Sequence, residues 1–465
     1  MTLLGVGMLV FYDTETSGTS VRFDQICQYA AIRTDEYLNE IDRFEIRSKL
    51  SPHIIPAPMA LHTTGMSVAD LTDPSHPSHY AMVAEVRAVL TRWGTSTFLG
   101  WNSIRFDEEI LRSAFWACLH PPYLTNTAGN GRGDALNLVR AFSLLHPDAL
   151  VIPLSDKGKP TFKLDRLGPA NGLSFNAHDA MADVQATISM CRMVRDRDPG
   201  LWTRFLAFAH KAPVNDFTIE NDAFIAFETF GARTVPNVVT RLGVNSGQGT
   251  LIYALDLACD LDELAGLDDV KLLARVKKSP RPIRRIKSNT APILLGLDDA
   301  PVHTLGDFTR AEWLERAEKV RQDPEFVQRL LRAAEAAETV YAPSEHVEEQ
   351  IYEGFVGRQD ERLMASFHTV PWEHRVEMIR QFQDVRLKRL ARRLVYFERP
   401  DLLSAADRDL MAAEMRRRLV GEGHEAPPWL TVDKALAELD EALAKVGADV
   451  PALAGYREHL AGLGS

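Results

Sequence analysis

Two acidic residues near the start of the chain have the spacing of a metal-binding pair. Asp13 and Glu15 lie in the segment 11–18 (FYDTETSG), directly after the apolar run 8–10, which predicts a first β-strand. Residues i and i+2 of a strand point to the same face, and like charges held that close repel unless a cation lies between them. Mg²⁺ prefers such carboxylate oxygens. Alternatively, D-x-E is a common tripeptide in which Asp13 only opens a turn.

Three further residues could complete a site, because each stands at the predicted start of a helix. Asp107 follows the short apolar segment 97–101 (TFLGW), and His178 and Asp183 precede and open a helix that continues to about residue 195. His178 would lie in the entering loop and Asp183 in the second turn, so both can face one pocket. Each has a structural alternative: Asp107 as a helix N-cap, and His178 as a hydrogen-bonding residue of the fold.

The combined set predicts hydrolysis of phosphodiester bonds. Four carboxylates (Asp13, Glu15, Asp107 and Asp183) could hold two metal ions, which clamp the attacking and leaving oxygens of an in-line displacement. A neutral histidine beside a metal-bound water, here His178, could remove its proton near neutral pH.

The elements that must position this set form an α/β pattern over about the first 190 residues. Strands are predicted at 25–33, 43–50 and 97–101, and helices at 80–93 and 135–145, while 125–133 (TNTAGNGRG) is predicted to be a polar, glycine-rich loop. The opening run of strands indicates a mixed sheet that begins with a meander. Asp134 and Asp179 are interpreted as helix caps rather than site residues.

The remainder of the chain has a different pattern of predicted strands and helices, which indicates two more domains. Short strands are expected at 223–230, 234–241, 250–257 and 284–287, with helices around 260–278 and 310–338. From residue 352 the pattern is helical, with a helix or helix pair at 375–397 and helices around 405–420 and 431–462. The predicted domain boundaries are 1–197, 198–350 and 351–465.

Composition excludes several classes of protein. The 465 residues are 45% hydrophobic and 25% charged, with no apolar run long enough to span a membrane. The N-terminus lacks the basic region of a signal peptide, and the four scattered cysteines argue against a zinc site or a disulfide framework. A cytoplasmic protein is expected.

The net charge of −11 does not indicate a nucleic-acid-binding protein, so any such surface must be local. Basic residues concentrate between 271 and 287 and between 386 and 393, and each run is either a phosphate-binding surface or a solvated face. The first run contains Lys271, Arg275, Lys277, Lys278, Arg281, Arg284, Arg285 and Lys287. The second contains Arg386, Lys388, Arg389, Arg392 and Arg393.

Three motifs resemble those of the DEDDh 3′→5′ exonuclease superfamily, which has an RNase H-like fold: DTET, NSIRFDEE and NAHDAMADV. The segments LGWNSIRFDEEILR, YAPSEHVEEQIYEGF and RLARRLVYFERP further resemble the bacterial exodeoxyribonuclease I family, from one end of the chain to the other. The resemblance implies an α/β RNase H-like exonuclease domain, an SH3-like β-domain with helical insertions, and an α-helical C-terminal domain.

The resemblance also implies roles for individual residues. Asp13, Glu15 and Asp183 would bind two Mg²⁺ ions, which Mn²⁺ could replace, and Asp107 would complete the second ion's shell. His178 would be the general base, and Glu15 would lie close to the terminal nucleotide. Lys163 stands where the family usually has an arginine that contacts the substrate phosphate, so the charge is kept but the bidentate fork is lost.

Family members degrade single-stranded DNA processively from the 3′ end, release 5′-mononucleotides and act in DNA repair and recombination. The resemblance therefore implies single-stranded DNA as substrate, the C-terminal tail of single-stranded DNA-binding protein as a partner, and a monomer. Arg284, Arg285 and Lys287 are expected to contribute to a DNA channel, and Phe106, Phe115 and Trp116 either stack on bases or belong to the core. The alternatives are a related enzyme that acts on RNA ends or in proofreading, and a catalytically inactive strand-binding protein.

Overall fold

A computed structural model describes residues 7–463 except 177, 232, 340 and 448. Residues 1–6, on which the signal-peptide argument rests, lie outside the described residues. Among the described residues, no helix is both long enough and apolar enough to cross a membrane. All four cysteines are unpaired thiols, and only Cys259 is partly exposed.

The N-terminal part is built on a mixed five-stranded sheet of the order β3-β2-β1-β4-β5 within the described residues. β1 pairs antiparallel with β2, β2 antiparallel with β3, and β1 and β5 both lie parallel to β4. The predicted meander and mixed sheet are therefore confirmed. The strands are β1 (Met8–Thr16), β2 (Ile26–Thr34), β3 (Glu40–Arg47), β4 (Ser96–Gly100) and β5 (Gly131–Asp134).

Helices cover both faces of this sheet, because its central strands carry apolar side chains on both faces. One face packs on α7, α5 and α8, and the other on α3 and α4, through two separate apolar clusters. The helices are α1 (Pro58–Thr64), α2 (Val68–Leu71), α3 (His79–Trp93), α4 (Asp107–Ala117), α5 (Ala135–Leu145), α6 (Leu164–Ala170), α7 (Ala180–Arg197), α8 (Pro199–Ala207) and α9 (Lys211–Glu220).

The prediction that 125–133 is a loop is wrong for its last residues, which form β5. Glycine gives little strand signal, but here it permits close packing. A Cβ atom on Gly131 would lie 2.9 Å from the Cβ of Ala209, and one on Gly133 would lie 2.7 Å from the ring of Phe205. Only glycine allows this edge strand to lie directly against α8 and the turn after it.

A second sheet, antiparallel throughout, has the order β10-β6-β7-β8-β9 within the described residues. The predicted short strands are confirmed, and the helix predicted at 310–338 is two helices that break before Pro324. The elements are β6 (Phe224–Phe230), β7 (Arg233–Val244), β8 (Leu251–Asp256), β9 (Ile283–Lys287), β10 (Leu294–Gly296), α10 (Leu261–Gly266), α11 (Asp269–Lys277), α12 (Arg310–Arg321) and α13 (Pro324–Ala336).

The C-terminal part is helical, as predicted, and docks on the N-terminal part. The indole N–H of Trp116 donates to the carbonyl of Val347 at 2.8 Å, and the Tyr456 hydroxyl donates to that of Pro56 at 2.5 Å. Phe115 and Trp116 are buried, so of the two alternatives for these rings the core role is confirmed and base stacking is excluded. The helices are α14 (Arg358–Phe367), α15 (Trp372–Gln381), α16 (Val385–Glu398), α17 (Ala405–Val420), α18 (Val432–Val446) and α19 (Tyr456–Leu463).

Candidate active site

β1 presents Asp13 and Glu15 at its C-terminal end. The two residues pair with Ala30 and Gln28 of β2, and a register shift lies between Glu15 and Thr16, the last residue of the strand. The alternation of a strand places both side chains on one face, as the sequence predicts. Glu15 is only 9% exposed, so its carboxylate is largely removed from water.

Asp107 is the first residue of α4 and is held by Thr14, the residue between the two acids of β1. The Thr14 backbone N–H and hydroxyl both donate to Asp107 Oδ1, at 3.1 and 2.6 Å. The N-cap position is Phe106, and no side chain caps the helix there. The N-cap alternative for Asp107 is therefore wrong, because its carboxylate points to β1 rather than to its own helix.

His178 and Asp183 meet Glu15 from the start of α7. One ligand atom from each of Glu15, His178 and Asp183 lies within 4.8 Å of the others. His178 adopts a left-handed backbone conformation with φ 65°, and its N–H points toward Asp183 Oδ2 at 3.4 Å. Asp179 caps the helix by accepting from the N–H of Ala182, so its predicted structural role is confirmed.

Burial raises the pKa values of all four site carboxyl groups, and the charges of neighbouring site acids add to it at Asp13 and Glu15. Burial and then the charges of Asp107 and Glu15 raise the pKa of Asp13 well above its ordinary value. Burial, followed by the charge of Asp183, raises the pKa of Glu15 to about 8, and burial raises the pKa of Asp183 to about 7. Burial also raises the pKa of Asp107 to about 7, although the hydrogen bond from Thr14 opposes it. Without a cation, the folded chain holds protons here near neutral pH.

This donor set fits a divalent metal ion of the hard, oxygen-preferring kind. Asp183 Oδ1 is buried and has no hydrogen-bond partner among the described residues, although a buried carboxylate oxygen is costly to leave unpaired. It belongs to the same cluster as Glu15 and His178. A bound cation would satisfy this oxygen and offset the burial and repulsion that raise the pKa values of these carboxyl groups.

A buried ionic network behind α4 was not found by sequence reasoning. Glu108 is fully buried and accepts hydrogen bonds from Tyr12, Thr125 and Arg132 at 3.1, 2.5 and 2.8 Å. Arg112 lies 2.8 Å from the same carboxylate. Of these partners only Arg112, four residues after Glu108 on the same helix, has a spacing that the sequence could indicate. The other three come from β1, β5 and the segment before β5. Sequence reasoning also missed that the Thr14 hydroxyl holds Asp107. The position of Thr14 between two acids was the available signal for that role.

A groove of about 1440 Å³ lies beside α4 and is lined by residues from all three parts of the chain. Among the described residues, the side chains of Arg105, Lys211 and Lys287 in its wall have no ion-pair partner, whereas Arg285 pairs with Glu338 at 2.7 Å. The aromatic ring of Phe355, at the groove, is 92% exposed. The groove therefore combines free positive charge with an accessible aromatic surface.

Several basic residues singled out in the sequence are engaged within the fold. Arg284 is 13% exposed and pairs with Asp256 and Glu228 at 2.5 and 3.1 Å, so its charge is balanced within the fold. Arg386 pairs with Asp384, and Arg393 with Glu348. Lys163 is exposed at the start of α6, and its side chain has no bonded partner among the described residues.

The sheet order, the flanking helices and the acidic cluster at the end of β1 define an RNase H-like exonuclease. A family model described as "Exonuclease" matches residues 10–190, and one described as "Exonuclease I C-terminal domain" matches residues 345–460. The chain belongs to the exodeoxyribonuclease I family and is an exodeoxyribonuclease. Exodeoxyribonuclease I of Escherichia coli K12 is 30% identical over 76% of this chain and 78% of its own length. Exodeoxyribonuclease I of Haemophilus influenzae is 28% identical over 82% of this chain and 84% of its own length.

Solved structures of Exonuclease I share the whole architecture. The complex of the E. coli enzyme with a dA16 oligonucleotide superposes with a TM-score of 0.84 at 25% identity and covers 98% of both chains. A zinc-bound complex with single-stranded DNA has a TM-score of 0.83 at 24% identity, over 98% of this chain and 100% of that one. A further structure, of SSB/Exonuclease I in complex with the inhibitor CFAM, has a TM-score of 0.83 at 25% identity, over 98% of this chain and 100% of that one.

Proposed function

We propose that this protein degrades single-stranded DNA from the 3′ end and releases 5′-mononucleotides by Mg²⁺-dependent two-metal hydrolysis. The observation that carries the proposal is the convergence of Glu15, His178 and Asp183 within 4.8 Å, beside Asp13, whose pKa is raised by burial and by the charges of Asp107, Glu15 and Asp183. Oxygen ligands in this number suit Mg²⁺, and Mn²⁺ could replace it. Family membership supports the same reaction.

The roles of the residues follow from their positions. Asp13, Glu15 and Asp183 would hold the metal ions, and Asp107 would complete the ligand shell of the second ion. When bound, such ions neutralise charge on the phosphate and lower the pKa of a coordinated water. His178 is exposed at the edge of the cluster, where its imidazole can take the proton of the attacking water. Glu15 lies beside the terminal nucleotide in this arrangement.

The groove beside α4 is the proposed path of the strand. The free charges of Arg105, Lys211 and Lys287 suit the phosphate backbone, and the exposed ring of Phe355 offers a face on which any base can stack. Lys163, exposed at the start of α6, would contact the substrate phosphate as a point charge. Because the groove is lined by all three parts of the chain, a strand in it would be partly enclosed, which favours processive digestion.

The biological setting belongs to the same proposal. The complex of E. coli Exonuclease I with an oligonucleotide supports single-stranded DNA as substrate, and the SSB/Exonuclease I structure supports the tail of single-stranded DNA-binding protein as partner. We place the protein in the cytoplasm as a monomer that acts in DNA repair and recombination. The three predicted domains, 1–197, 198–350 (SH3-like) and 351–465, would together enclose the strand.

End-labelled substrates test the proposal directly. Single-stranded DNA, duplex DNA and RNA, each labelled at the 3′ or the 5′ end, are incubated with and without Mg²⁺. Immediate release of the 3′ label from single-stranded DNA alone, and only with Mg²⁺, is expected. Loss of the 5′ label first would contradict the polarity, and equal digestion of RNA would favour the RNA-processing alternative.

Variants of the cluster separate catalysis from binding. Asp13→Ala is expected to abolish digestion while single-stranded DNA still binds, because the groove is intact. Continued digestion would refute the metal assignment, and absence of digestion in the parent chain would favour a strand-binding protein. His178→Ala is expected to lower kcat and to remove the acidic limb of the pH–rate profile; an unchanged profile would exclude His178 as the base.

A further inference from the structure

A second cluster of potential metal ligands lies in the C-terminal part, remote in the sequence from the acidic site. It consists of Glu345, His346 and His424, one ligand atom of each lying within 4.8 Å of the others. Glu345 and His346 precede the short 3₁₀ turn Gln350–Tyr352, and His424 lies in the loop between α17 and α18. The scattered cysteines argue against a zinc site in this chain, but two histidines and a carboxylate are an alternative ligand set.

The distances within this cluster suit a shared cation better than direct hydrogen bonds. His346 Nε2 lies 3.6 Å and His424 Nδ1 lies 3.7 Å from Glu345 Oε1. Hydrogen bonds between such atoms are about 2.7–3.2 Å long. Ligand atoms that share a tetrahedral zinc ion at about 2.0–2.1 Å lie roughly 3.4 Å apart. The three groups therefore converge on a common point without bonding to one another.

Aromatic packing fixes both imidazole rings before any ion binds. The ring of Trp429 stands edge-on to His346 at 5.2 Å and to His424 at 5.0 Å, and Phe23 packs against His346 from the exonuclease domain at 5.7 Å. Trp429 is itself anchored, because its indole N–H donates to the carbonyl of Arg418 at 2.8 Å. Ligands held in place in this way lose little conformational entropy on binding.

The surroundings leave room for the ion and for the movement of one ligand. A cavity of about 500 Å³ adjoins the cluster, and two of the arginines in its wall, Arg393 and Arg418, are both paired with Glu348. Arg389, Arg417, Glu414 and Glu422 also line this cavity, so its remaining charges are of both signs. The Glu345 side chain is 73% exposed and can adjust its position.

We propose that Glu345, His346 and His424 form a site for a divalent transition-metal ion of the zinc class. Imidazole nitrogens favour Zn²⁺, Ni²⁺ and Cu²⁺, whereas Mg²⁺ prefers oxygen ligands, so this site and the acidic cluster select different ions. With three protein ligands, water fills the fourth position. The ion ties the segment before the C-terminal helices to the α17–α18 loop.

The test uses the full-length chain with its acidic cluster disabled by Asp13→Asn and Asp183→Asn, so that Zn²⁺ binding there does not mask the second site. Calorimetric titration with Zn²⁺ is expected to show one binding event. Adding His346→Ala or His424→Ala to this chain should lower its Zn²⁺ affinity at least about tenfold, since substitution of residues outside the ligand shell commonly lowers metal affinity by this much. The matched control is His374→Ala, an exposed histidine on α15.

The outcomes are distinguishable. Here the parent is the chain that carries only Asp13→Asn and Asp183→Asn. Equal Zn²⁺ affinity in the parent and in both histidine variants, or no Zn²⁺ binding by the parent, would overturn the proposal. Circular dichroism establishes whether each variant folds. If a variant does not fold, X-ray absorption of zinc bound to the parent decides, because two imidazole ligands are expected and a shell of oxygen ligands alone would refute the site.

Discussion

The acidic cluster is a local source of instability that a bound metal ion would relieve. Burial is the main cause that raises the pKa values of Glu15, Asp107 and Asp183 to about 8, 7 and 7, and the charges of Asp183 and Asp107 add to it at Glu15. Each unfolded carboxyl group ionises near pH 4, so between about pH 4 and pH 7 the folded state binds more protons than the unfolded state. The contribution of these groups to folding stability therefore falls as the pH rises through that window.

Asp183→Asn should make the metal-free protein less sensitive to this rise in pH. We expect the variant to be more stable than the parent by about 1–3 kcal/mol at pH 8, after allowance for solvent around this partly exposed group, and by less at pH 5. Thermal unfolding of metal-free protein at both pH values measures the difference. Added Mg²⁺ should raise the Tm of the parent more than that of the variant; the reverse order would contradict the metal assignment.

Thr14 positions Asp107 and is not itself a proposed metal ligand. Thr14→Val removes the 2.6 Å hydroxyl bond but keeps the 3.1 Å bond from the backbone N–H. Loss of such an orienting bond typically lowers activity or metal affinity 10–100-fold, so a higher Mg²⁺ requirement is expected. The Mg²⁺ dependence of digestion measures it. Thr14→Ser is the control, and it should behave like the parent if the hydroxyl is responsible.

Among the elements, β5 holds the loop that leads into α4. Asp134, its last residue, pairs in register with Gly100 at the end of β4. The Asp134 carboxylate accepts from the N–H of Leu136, which confirms its predicted cap, and also from that of Asn102, each at 3.0 Å. The second bond fixes the left-handed turn at Asn102 that precedes Asp107. A short edge strand therefore positions one of the site's acids.

Gly133→Ala should displace this strand. The new Cβ would lie 2.7 Å from the ring of Phe205 and 3.0 Å from the Cβ of Ala291, and Ala291 is firmly buried. Overpacking of this kind costs about 1–3 kcal/mol, which chemical denaturation can measure. Gly249→Ala is the control, because its Cβ would meet nothing within 4 Å, and its stability should change by less than about 0.5 kcal/mol.

At the scale of the whole molecule, a buried ion network joins the first and last parts of the chain. Glu348 accepts hydrogen bonds from Arg393 and Arg418 at 2.7 and 2.6 Å, and the Arg418 guanidinium lies 5.6 Å from the ring centre of Phe23. The two arginines hold the pKa of Glu348 well below its ordinary value, although burial opposes them. The network stabilises the fold above about pH 4, and this contribution is lost as the pH falls.

Glu348→Gln should leave the buried guanidinium of Arg418 without an ion-pair partner among the described residues, and Arg393 with only the Glu414 carboxylate at 3.8 Å. A loss of about 3–5 kcal/mol is expected, because breaking a buried ion pair costs more than the pair contributes. Denaturant unfolding at pH 7 measures it. Glu414→Gln is the matched control, since that carboxylate is 46% exposed and lies 3.8 Å from Arg393. Equal effects of the two substitutions would show that the network is not structurally important.

The sequence by itself determined the acidic residues, the histidine and the order of most elements. Asp13, Glu15, Asp107, His178 and Asp183 stand in short motifs at the ends of strands and starts of helices, so local patterns identify them. The sheet meander and the helical C-terminal part follow from periodicity, which is also a local property.

Tertiary structure decided which polar groups are free and which are paired. The bond from Thr14 to Asp107, the pairing of Arg284 with Asp256 and the approach of His424 to Glu345 join residues far apart in the sequence. A charge has the same appearance in the sequence whether a distant carboxylate neutralises it or solvent surrounds it. Strand β5 escaped prediction for a related reason, because the close approach of α8 explains its glycines and no local preference does.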